Sequence, residues 1–304
     1  MSKIPEWKRP YNDGKITWII TASMVEGTLA EILPKVITDQ GHRIIVHYSG
    51  SEEFSERDVN SITDDFMDEG SGPIMVYGLP LLVREVISQP WYPGTYPSAW
   101  SENTFGELSP AAWMSTVPVE LLLNPDHVFI PVQTLNNNAE TYSALFNHTK
   151  LFIKDNDSFK SFPAAVLNDG TVSDYLTFYK NERYIKYNSF VMVSSEKVID
   201  SEHRFIIVDN KIVSHSTYML ANESNIYREV PQQAIDFVNQ NLDKIKITGG
   251  VYVLDIAMSQ GLPKIIDINA FSCAELYACD LEAVVRAISA KASADFMDEG
   301  WDFG

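Results

Sequence analysis

Cysteine is scarce in this sequence, with only Cys273 and Cys279 among 304 residues. Two cysteines six positions apart match neither a disulfide framework nor a common zinc-ligand spacing. Proteins that keep their thiols reduced usually work inside the cell. We therefore predict a cytoplasmic protein that does not depend on disulfide bonds.

Basic residues are few as well, because 23 lysines and arginines face 41 aspartates and glutamates, which gives a formal net charge of −18. This balance opposes non-specific binding to nucleic-acid backbones, although a local basic pocket for a small anion remains compatible with it. No apolar run approaches the length of a membrane span, and the first residues lack the apolar segment of a secretory signal. We expect neither a nucleic acid nor a membrane as partner.

Several motifs that would name a reaction are missing. The sequence contains no GxxxxGK[ST] phosphate loop, no GxSxG nucleophile turn and no HExxH zinc motif. Its six histidines show no ligand spacing either. A P-loop enzyme, a serine hydrolase of that type and a zinc hydrolase are therefore disfavoured, while an apolar content of 45% predicts a substantial core.

The first half of the chain reads as a small α/β domain. Residues 16–21 and 43–48 are rich in β-branched residues and predict strands, and an apolar stripe within 25–40 predicts a helix between them. Strands joined in this way are parallel. We predict a parallel α/β domain over residues 1–130, one of two domains that the length suggests.

The second half is mostly strands and tight turns. It contains two predicted hairpins, one turning at Asp209-Asn210 and one at Ser259-Gln260-Gly261. The predicted strands are 151–154, 189–194, 203–209, 211–219, 251–258 and 263–269, and the predicted helices are 231–242 and 281–289.

These elements place the chain in the α/β (α+β) class. We predict that residues 131–304 form a domain of two lobes with mainly antiparallel sheets. The small lobe covers about 149–195, the C-terminal lobe about 196–292, and an acidic tail follows over 293–304.

The candidate metal site consists of two acidic strand ends. Asp255 ends one apolar run, Asp267 ends the next, and alternation places Asp267 and Asn269 on one face. Two carboxylates and an amide oxygen are the hard ligands that Mg²⁺ prefers. The alternative is that both acids simply face solvent, and the trio alone does not decide between these interpretations.

Two further groups could meet an anion. Lys154 ends a buried strand and Lys160 follows in a short polar segment, so both could reach a phosphate, or both could be surface lysines. Arg204 lies in an otherwise apolar strand two positions after Glu202. A buried arginine needs an anion or a carboxylate, so either a phosphate or Glu202 itself could be its partner.

In chain order, this pattern of a strand lysine, Glu-x-Arg, Asp and acid-x-Asn resembles the ATP-grasp superfamily. The segments HRFIIVDNKIVSHSTYM and VLDIAMSQGLPKIIDINAFSC resemble bacterial glutathione synthetase, and the layout resembles the phage and bacterial ATP-grasp clade of predicted amide or peptide ligases. The resemblance covers about residues 149–290. In two departures, Asp267 stands where the family usually has glutamate, and the segment DNDSFKS (155–161) stands in place of the family's glycine-rich flap.

The resemblance implies that ATP and Mg²⁺ are the cofactors. Lys154 would contact the phosphates of the nucleotide. Ser195, Glu196 and Val198 would lie on the hinge beside the adenine, where Ser195 and Val198 offer main-chain groups. Glu202 would accept hydrogen bonds from the ribose hydroxyls.

The same resemblance implies the groups that assist the reaction. Arg204 would neutralise the transferred phosphoryl group, and Lys160 would replace the backbone donors of the usual flap. Asp255, Asp267 and Asn269 would bind Mg²⁺. The implied activity is an ATP-dependent carboxylate–amine ligase that works through an acyl-phosphate. A phosphotransferase on the same fold and a catalytically inactive nucleotide-binding protein are the alternatives.

The expected partners are a small-molecule or peptide carboxylate and an amine acceptor. Arg84 and the aromatic loop around Trp91 and Trp100 are candidates for meeting them. A homodimer is compatible with the sequence, and a phage-encoded protein would work in the host cytoplasm.

Overall fold

A computed structural model describes residues 15–21, 28–47, 73–78, 106–158, 160–181, 189–221, 223–247 and 250–298. Its strands are β1 (Thr17–Thr21), β2 (Arg43–His47), β3 (Ile74–Tyr77), β4 (Val128–Pro131), β5 (Lys150–Asp155), β6 (Ala165–Asn168), β7 (Phe190–Ser195), β8 (Ser201–Val208), β9 (Lys211–Leu220), β10 (Glu223–Tyr227), β11 (Val251–Ser259) and β12 (Leu262–Asn269). Its α-helices are α1 (Thr28–Asp39), α2 (Pro110–Thr116), α3 (Val132–Phe146), α4 (Asp169–Asn181), α5 (Gln232–Asn241) and α6 (Leu281–Asp298).

The first three strands form a parallel sheet in the order β2-β1-β3. All five residues of β1 are buried, as its β-branched and aromatic sequence predicts. Helix α1 follows β1 and leads into β2, which lies parallel to β1 as the βαβ pattern requires. The predicted mixed α/β class, with a parallel sheet ahead of antiparallel ones, is confirmed.

The largest sheet is antiparallel and has the order β10-β9-β8-β11-β12. Both predicted hairpins are present. The turn between β8 and β9 has positive φ at Asp209 and Asn210, and the turn between β11 and β12 has positive φ at Gln260 and Gly261. Turns of this kind match the twist of the strands that they join. Strands β8 and β11 belong to different hairpins and pair with each other inside the sheet.

A third sheet, in the order β4-β7-β5-β6, is antiparallel throughout. Strand β4 starts at Val128 and pairs with β7, so one strand of this sheet crosses the predicted domain boundary at 130. Helices α3 and α4 pack on this sheet around Leu135, Leu151 and Leu176. This sheet and the five-stranded sheet form two lobes joined by the segment 196–200, and the boundary near 130 stays a prediction.

Among the described residues, the parallel sheet packs against the C-terminal part of the chain. Trp18 and Tyr77 pack with Phe271, which follows β12, at ring-centroid distances of 6.5 and 5.7 Å. The indole of Trp18 donates to the Ser289 hydroxyl on α6, and the Tyr77 hydroxyl donates to the main-chain oxygen of Ala274. The N-terminal sheet and the C-terminal lobe thus share one apolar core.

Helix α6 runs to Asp298, whereas the sequence analysis expects an acidic tail from residue 293. The helix continues because its sequence is rich in alanine, which favours helices, and because Ala292 is buried. Lys291 and Asp295 also form an ion pair one turn apart. Within the described residues, no helix is both long and apolar enough to span a bilayer.

The shared core predicts a large effect for Phe271→Ala. Phe271 is fully buried between Trp18 and Tyr77, so its removal should destabilise the protein by about 3–5 kcal/mol. Urea unfolding monitored by far-UV circular dichroism measures this change in free energy. The matched control is Phe178→Ala on α4, where the ring is 59% exposed and the loss should stay below about 1 kcal/mol. Equal losses in the two variants would contradict a shared core.

Candidate active site between the two lobes

The centre of the candidate site is a buried ion pair between neighbouring strands. Arg204 on β8 lies directly opposite Asp255 on β11. Its Nε and Nη2 atoms each donate to one carboxylate oxygen of Asp255 at 2.8 Å, and its Nη1 donates to the main-chain oxygen of Glu275 at 2.8 Å. Burial opposes the charge, but the Asp255 carboxylate raises the pKa of Arg204. The carboxylate partner of Arg204 is therefore Asp255 on the neighbouring strand and not Glu202 on its own strand.

Two tyrosine rings cover the guanidinium of Arg204. Tyr218 on β9 and Tyr277 stack with 4.9 Å between their centroids and 11° between their planes. The Cζ atom of Arg204 lies 5.4 Å from the Tyr218 centroid and 4.8 Å from the Tyr277 centroid. Aromatic faces attract a guanidinium and limit its rotation. The orientation of Arg204 is thus fixed by both the carboxylate and the rings.

A second ion pair lies one strand further along. Asp267 on β12 is opposite Asp255, and the register then shifts so that Ile256 faces Ile265. Ile266 is the extra residue of this bulge, and both Ile266 and Asp267 line the same cleft. The Nζ of Lys154 donates to Asp267 Oδ1 at 2.5 Å and to the main-chain oxygen of Ile266 at 3.3 Å.

Lys160 reaches the same acid from the loop after β5. Its Nζ donates to Asp267 Oδ2 at 3.0 Å and to Asn269 Oδ1 at 2.7 Å. Burial would raise the pKa of Asp267, but the two ammonium groups together hold it well below its usual range. Burial lowers the pKa of Lys154, and Asp267 opposes that effect. Asp267 is therefore charged at neutral pH and shared by two cations.

The three predicted metal ligands meet in this region. Asn269 donates from Nδ2 to Asp255 Oδ2 at 3.1 Å, which links it to the first ion pair. In the part of the chain that the structure describes, no group of three or more His, Cys, Asp or Glu side chains is arranged to hold a metal. Two carboxylates and an amide oxygen fit Mg²⁺ when nucleotide phosphates supply further oxygens, as is usual for this ion.

Glu202 occupies another wall of the cleft. The hydroxyl of Tyr218 donates to Glu202 Oε2 at 2.5 Å. Burial raises the pKa of Glu202, and the carboxylate of Asp255 adds to that effect, while the Tyr218 hydroxyl opposes it. A glutamate in this setting can accept hydrogen bonds from hydroxyl groups.

The hinge residues divide between two cavities. Glu196 lines the charged cleft, whereas Ser195 and Val198 line a separate depression that shares Glu196 and Lys197 with it. The N–H and hydroxyl of Ser195 both donate to Asp126, and the carbonyl of Val198 accepts from Ser259. The main-chain N–H of Ser195 and the carbonyl of Val198 are thus bonded within the protein, and contact of the hinge with adenine stays a prediction.

A cleft of about 510 Å³ lies between the four-stranded and five-stranded sheets. Seven of the ten candidate residues line it: Lys154, Lys160, Glu196, Glu202, Arg204, Asp255 and Asp267. Asn269 is bonded to two of these seven. Residues that are widely separated in the sequence are therefore brought to one cavity.

Residues 135–287, about half of the chain, match a family whose model describes an ATP-grasp domain. The chain belongs to this ATP-grasp family. The superfamily that the order of Lys154, Arg204 and Asp267 predicts is thereby confirmed. No curated protein sequence matches the chain.

Solved structures of ATP-grasp proteins share the fold. The RimK domain ATP-grasp protein of Sphaerobacter thermophilus DSM 20745 has 9% identity and a TM-score of 0.53, covering 93% of this chain and 98% of that one. The ATP-grasp ligase PsnB has 11% identity and a TM-score of 0.56, covering 91% and 99%. D-alanine–D-alanine ligase of Bacillus anthracis has 13% identity and a TM-score of 0.52, covering 94% and 96%.

Some residues that line this cleft are not predicted from the sequence. Phe152 lines it, and its spacing of two from Lys154 on β5 is a signal that could have found it. Lys197 lines it between two predicted hinge residues. Asn124 lines it as well, with Nδ2 donating to Ser194 at 2.8 Å, and no local pattern marks it.

Other residues lie away from the cleft or outside the described part of the chain. His215 on β9 lines a different cavity, beside Ser214 and Arg228. Burial raises the pKa of Cys273, so its thiol is protonated at neutral pH, as expected for a structural cysteine. Arg84 and the aromatic segment 91–100 fall outside the residues that the structure describes.

The buried pair predicts strong coupling between Arg204 and Asp255. Arg204→Met should cost about 3–5 kcal/mol of folding free energy, because it strands the Asp255 carboxylate in the sheet. In Arg204→Met/Asp255→Asn no buried charge remains unpaired, so much of that loss should be recovered. A double-mutant cycle measured by urea unfolding gives the coupling energy.

The control cycle uses Lys35 and Asp39, an exposed pair one turn apart on α1. Its coupling should not exceed about 0.5 kcal/mol. Equal coupling energies in the two cycles would contradict the prediction that the buried Arg204–Asp255 pair is the stronger interaction.

Proposed function

We propose that the protein is an ATP-dependent ligase that joins a carboxylate to an amine through an acyl-phosphate. The observation that carries this proposal is the convergence of three cations, Lys154, Lys160 and Arg204, on the acids of the β11–β12 hairpin in one cleft. Membership of an ATP-grasp family supports nucleotide binding at this cleft.

The three cations come from both lobes and would contact different parts of a polyphosphate. Lys154 and Lys160 come from the small lobe and act as point charges for phosphate oxygens. Arg204 comes from the other lobe and uses three of the five N–H groups of its guanidinium on Asp255 and Glu275. The remaining two have no partner among the residues that the structure describes, and we propose that they meet the phosphoryl group that is transferred.

The proposed reaction needs positioning and charge neutralisation and no protein nucleophile. A carboxylate oxygen of the substrate attacks the γ-phosphorus, and the bond to the β–γ bridging oxygen breaks to release ADP. The amine nitrogen then attacks the acyl carbon, phosphate leaves with the bonding electrons, and the amine loses a proton to solvent. Asp255, Asp267 and Asn269 would hold Mg²⁺, which neutralises phosphate charge when bound.

The neighbours support a ligase over other nucleotide-dependent activities. PsnB is an ATP-grasp ligase seen with a precursor peptide and AMPPNP, and the Bacillus anthracis enzyme is a D-alanine–D-alanine ligase. For this chain we accordingly propose a small-molecule or peptide carboxylate and an amine acceptor. The proposed ribose contact is Glu202, whose partly buried side chain lines the cleft.

Nucleotide binding should appear as thermal stabilisation. Mg²⁺-ATP at about 100 times its Kd should stabilise the native state by about 2.7 kcal/mol, which raises Tm by several degrees. Lys154→Gln should remove most of this shift, because it deletes a phosphate contact. Differential scanning fluorimetry measures both. Lys35→Gln on the exposed face of α1 is the control and should keep the full shift, and a wild type without any shift would refute nucleotide binding.

Turnover should require both a carboxylate and an amine. The wild type, incubated with ATP, Mg²⁺ and a metabolite extract, should give a condensation product in the mass spectrum, with ADP and free phosphate in equal amounts. Arg204→Lys should slow this turnover by about tenfold or more while ATP still raises Tm, because lysine cannot reproduce the paired N–H contacts.

The same experiment separates the alternatives. A phosphorylated product without free phosphate would identify a phosphotransferase and contradict ligation. Stabilisation by ATP without any turnover across carboxylate and amine libraries would indicate a nucleotide-binding protein that is not an enzyme.

A further inference from the structure

The ammonium group of Lys160 lies between two of the proposed metal ligands. Its Nζ is 3.0 Å from Asp267 Oδ2 and 2.7 Å from Asn269 Oδ1. These oxygens are the hard donors that a divalent cation would use. A cation already bonded to them excludes a second cation, both by occupying its position and by like-charge repulsion.

Hydrogen bonds in the loop after β5 hold the backbone around Lys160. The carboxylate of Asp155 accepts from the main-chain N–H groups of Asp157 at 3.0 Å and Ser161 at 2.5 Å. The N–H of Lys160 in turn donates to the carbonyl of Asp157 at 2.9 Å. Lys160 has a φ of 53°, in the left-handed region that non-glycine residues seldom adopt. The backbone is thus fixed by a buried acid in a conformation that has a cost.

Exposure separates the two lysines that share Asp267. The side chain of Lys154 is only 9% exposed and also bonds the carbonyl of Ile266. The side chain of Lys160 is 49% exposed. A buried lysine cannot leave its carboxylate without stranding a charge away from water, whereas a half-exposed one can turn to another anion at little cost. Lys160 is therefore the cation that can be displaced.

We propose that Lys160 is a gate for the divalent cation. It fills the space between Asp267 and Asn269 when nucleotide is absent, and it yields this space when phosphate oxygens draw its ammonium away. The inference rests on the proposed function, because ATP is the source of those phosphates. Metal binding then depends on nucleotide, and by linkage the metal tightens nucleotide binding by the same factor.

The test measures metal binding without nucleotide and without turnover. Mn²⁺, a spectroscopic substitute for Mg²⁺, is titrated into the nucleotide-free full chain, and free Mn²⁺ is counted by electron paramagnetic resonance. Lys160→Met should bind one Mn²⁺ with a Kd at least about tenfold lower than that of the wild type, since a positive charge has left the site. Lys160→Arg keeps the charge and should stay within about threefold of the wild type.

A further variant locates the ion. Lys160→Met/Asp267→Asn should lose the gain in Mn²⁺ affinity, and a gain that survives would put the ion elsewhere and overturn the proposal. Equal Kd values for the wild type and Lys160→Met would overturn it too. The Tm shift of the wild type with Mg²⁺-ATP separates the two ideas. If that shift stands while the Mn²⁺ result fails, only the gate is refuted, and if the shift is absent, the proposed function fails.

Discussion

The buried pair of Arg204 and Asp255 is the interaction on which the rest of the site depends. Removing two charges from water costs several kcal/mol for each ion, so the pair persists only because its geometry is good. Two parallel N–H contacts to Asp255, a third to the carbonyl of Glu275, and the stacked tyrosines supply that geometry. Asp255 also holds Asn269, so one pair orders β8, the β11–β12 hairpin and the loop beyond it.

Much of the fold could be predicted from the sequence, because local patterns determine it. Turn residues that tolerate positive φ indicate both hairpins in the sequence, and period-two or unbroken apolar runs indicate the strands. The pairing of β8 with β11 could not be predicted in this way, because two strands and a helix intervene between them in the chain. The bulge at Ile266 has no sequence signal either, although Ile266 and Asp267 both line the cleft.

The candidate site, like the fold, could be predicted from the sequence only in part. The types of its charged residues and their order in the chain could be predicted, but their partners could not. Asp126 illustrates the reason, because it bonds Ser195 from a segment that carries no motif and thereby occupies a predicted hinge donor. The resemblance predicts that Lys160 meets phosphate, and the structure bonds it to two oxygens of the β12 strand. Long-range packing decides such partners, and a local pattern does not contain it.

A strongly acidic chain can still have a cleft for a polyanion, because most of the positive charge in that cleft is already compensated. Arg204 is matched by Asp255, and Lys154 and Lys160 share Asp267, so three cations against two acids leave one positive charge among these groups. This removes the cost of leaving buried cations unpaired. It also means that a nucleotide is bound only through the difference between its own contacts and those that it replaces. Because the contacts of Lys160 are the most exposed of these, they are the ones that a phosphate replaces at the least cost.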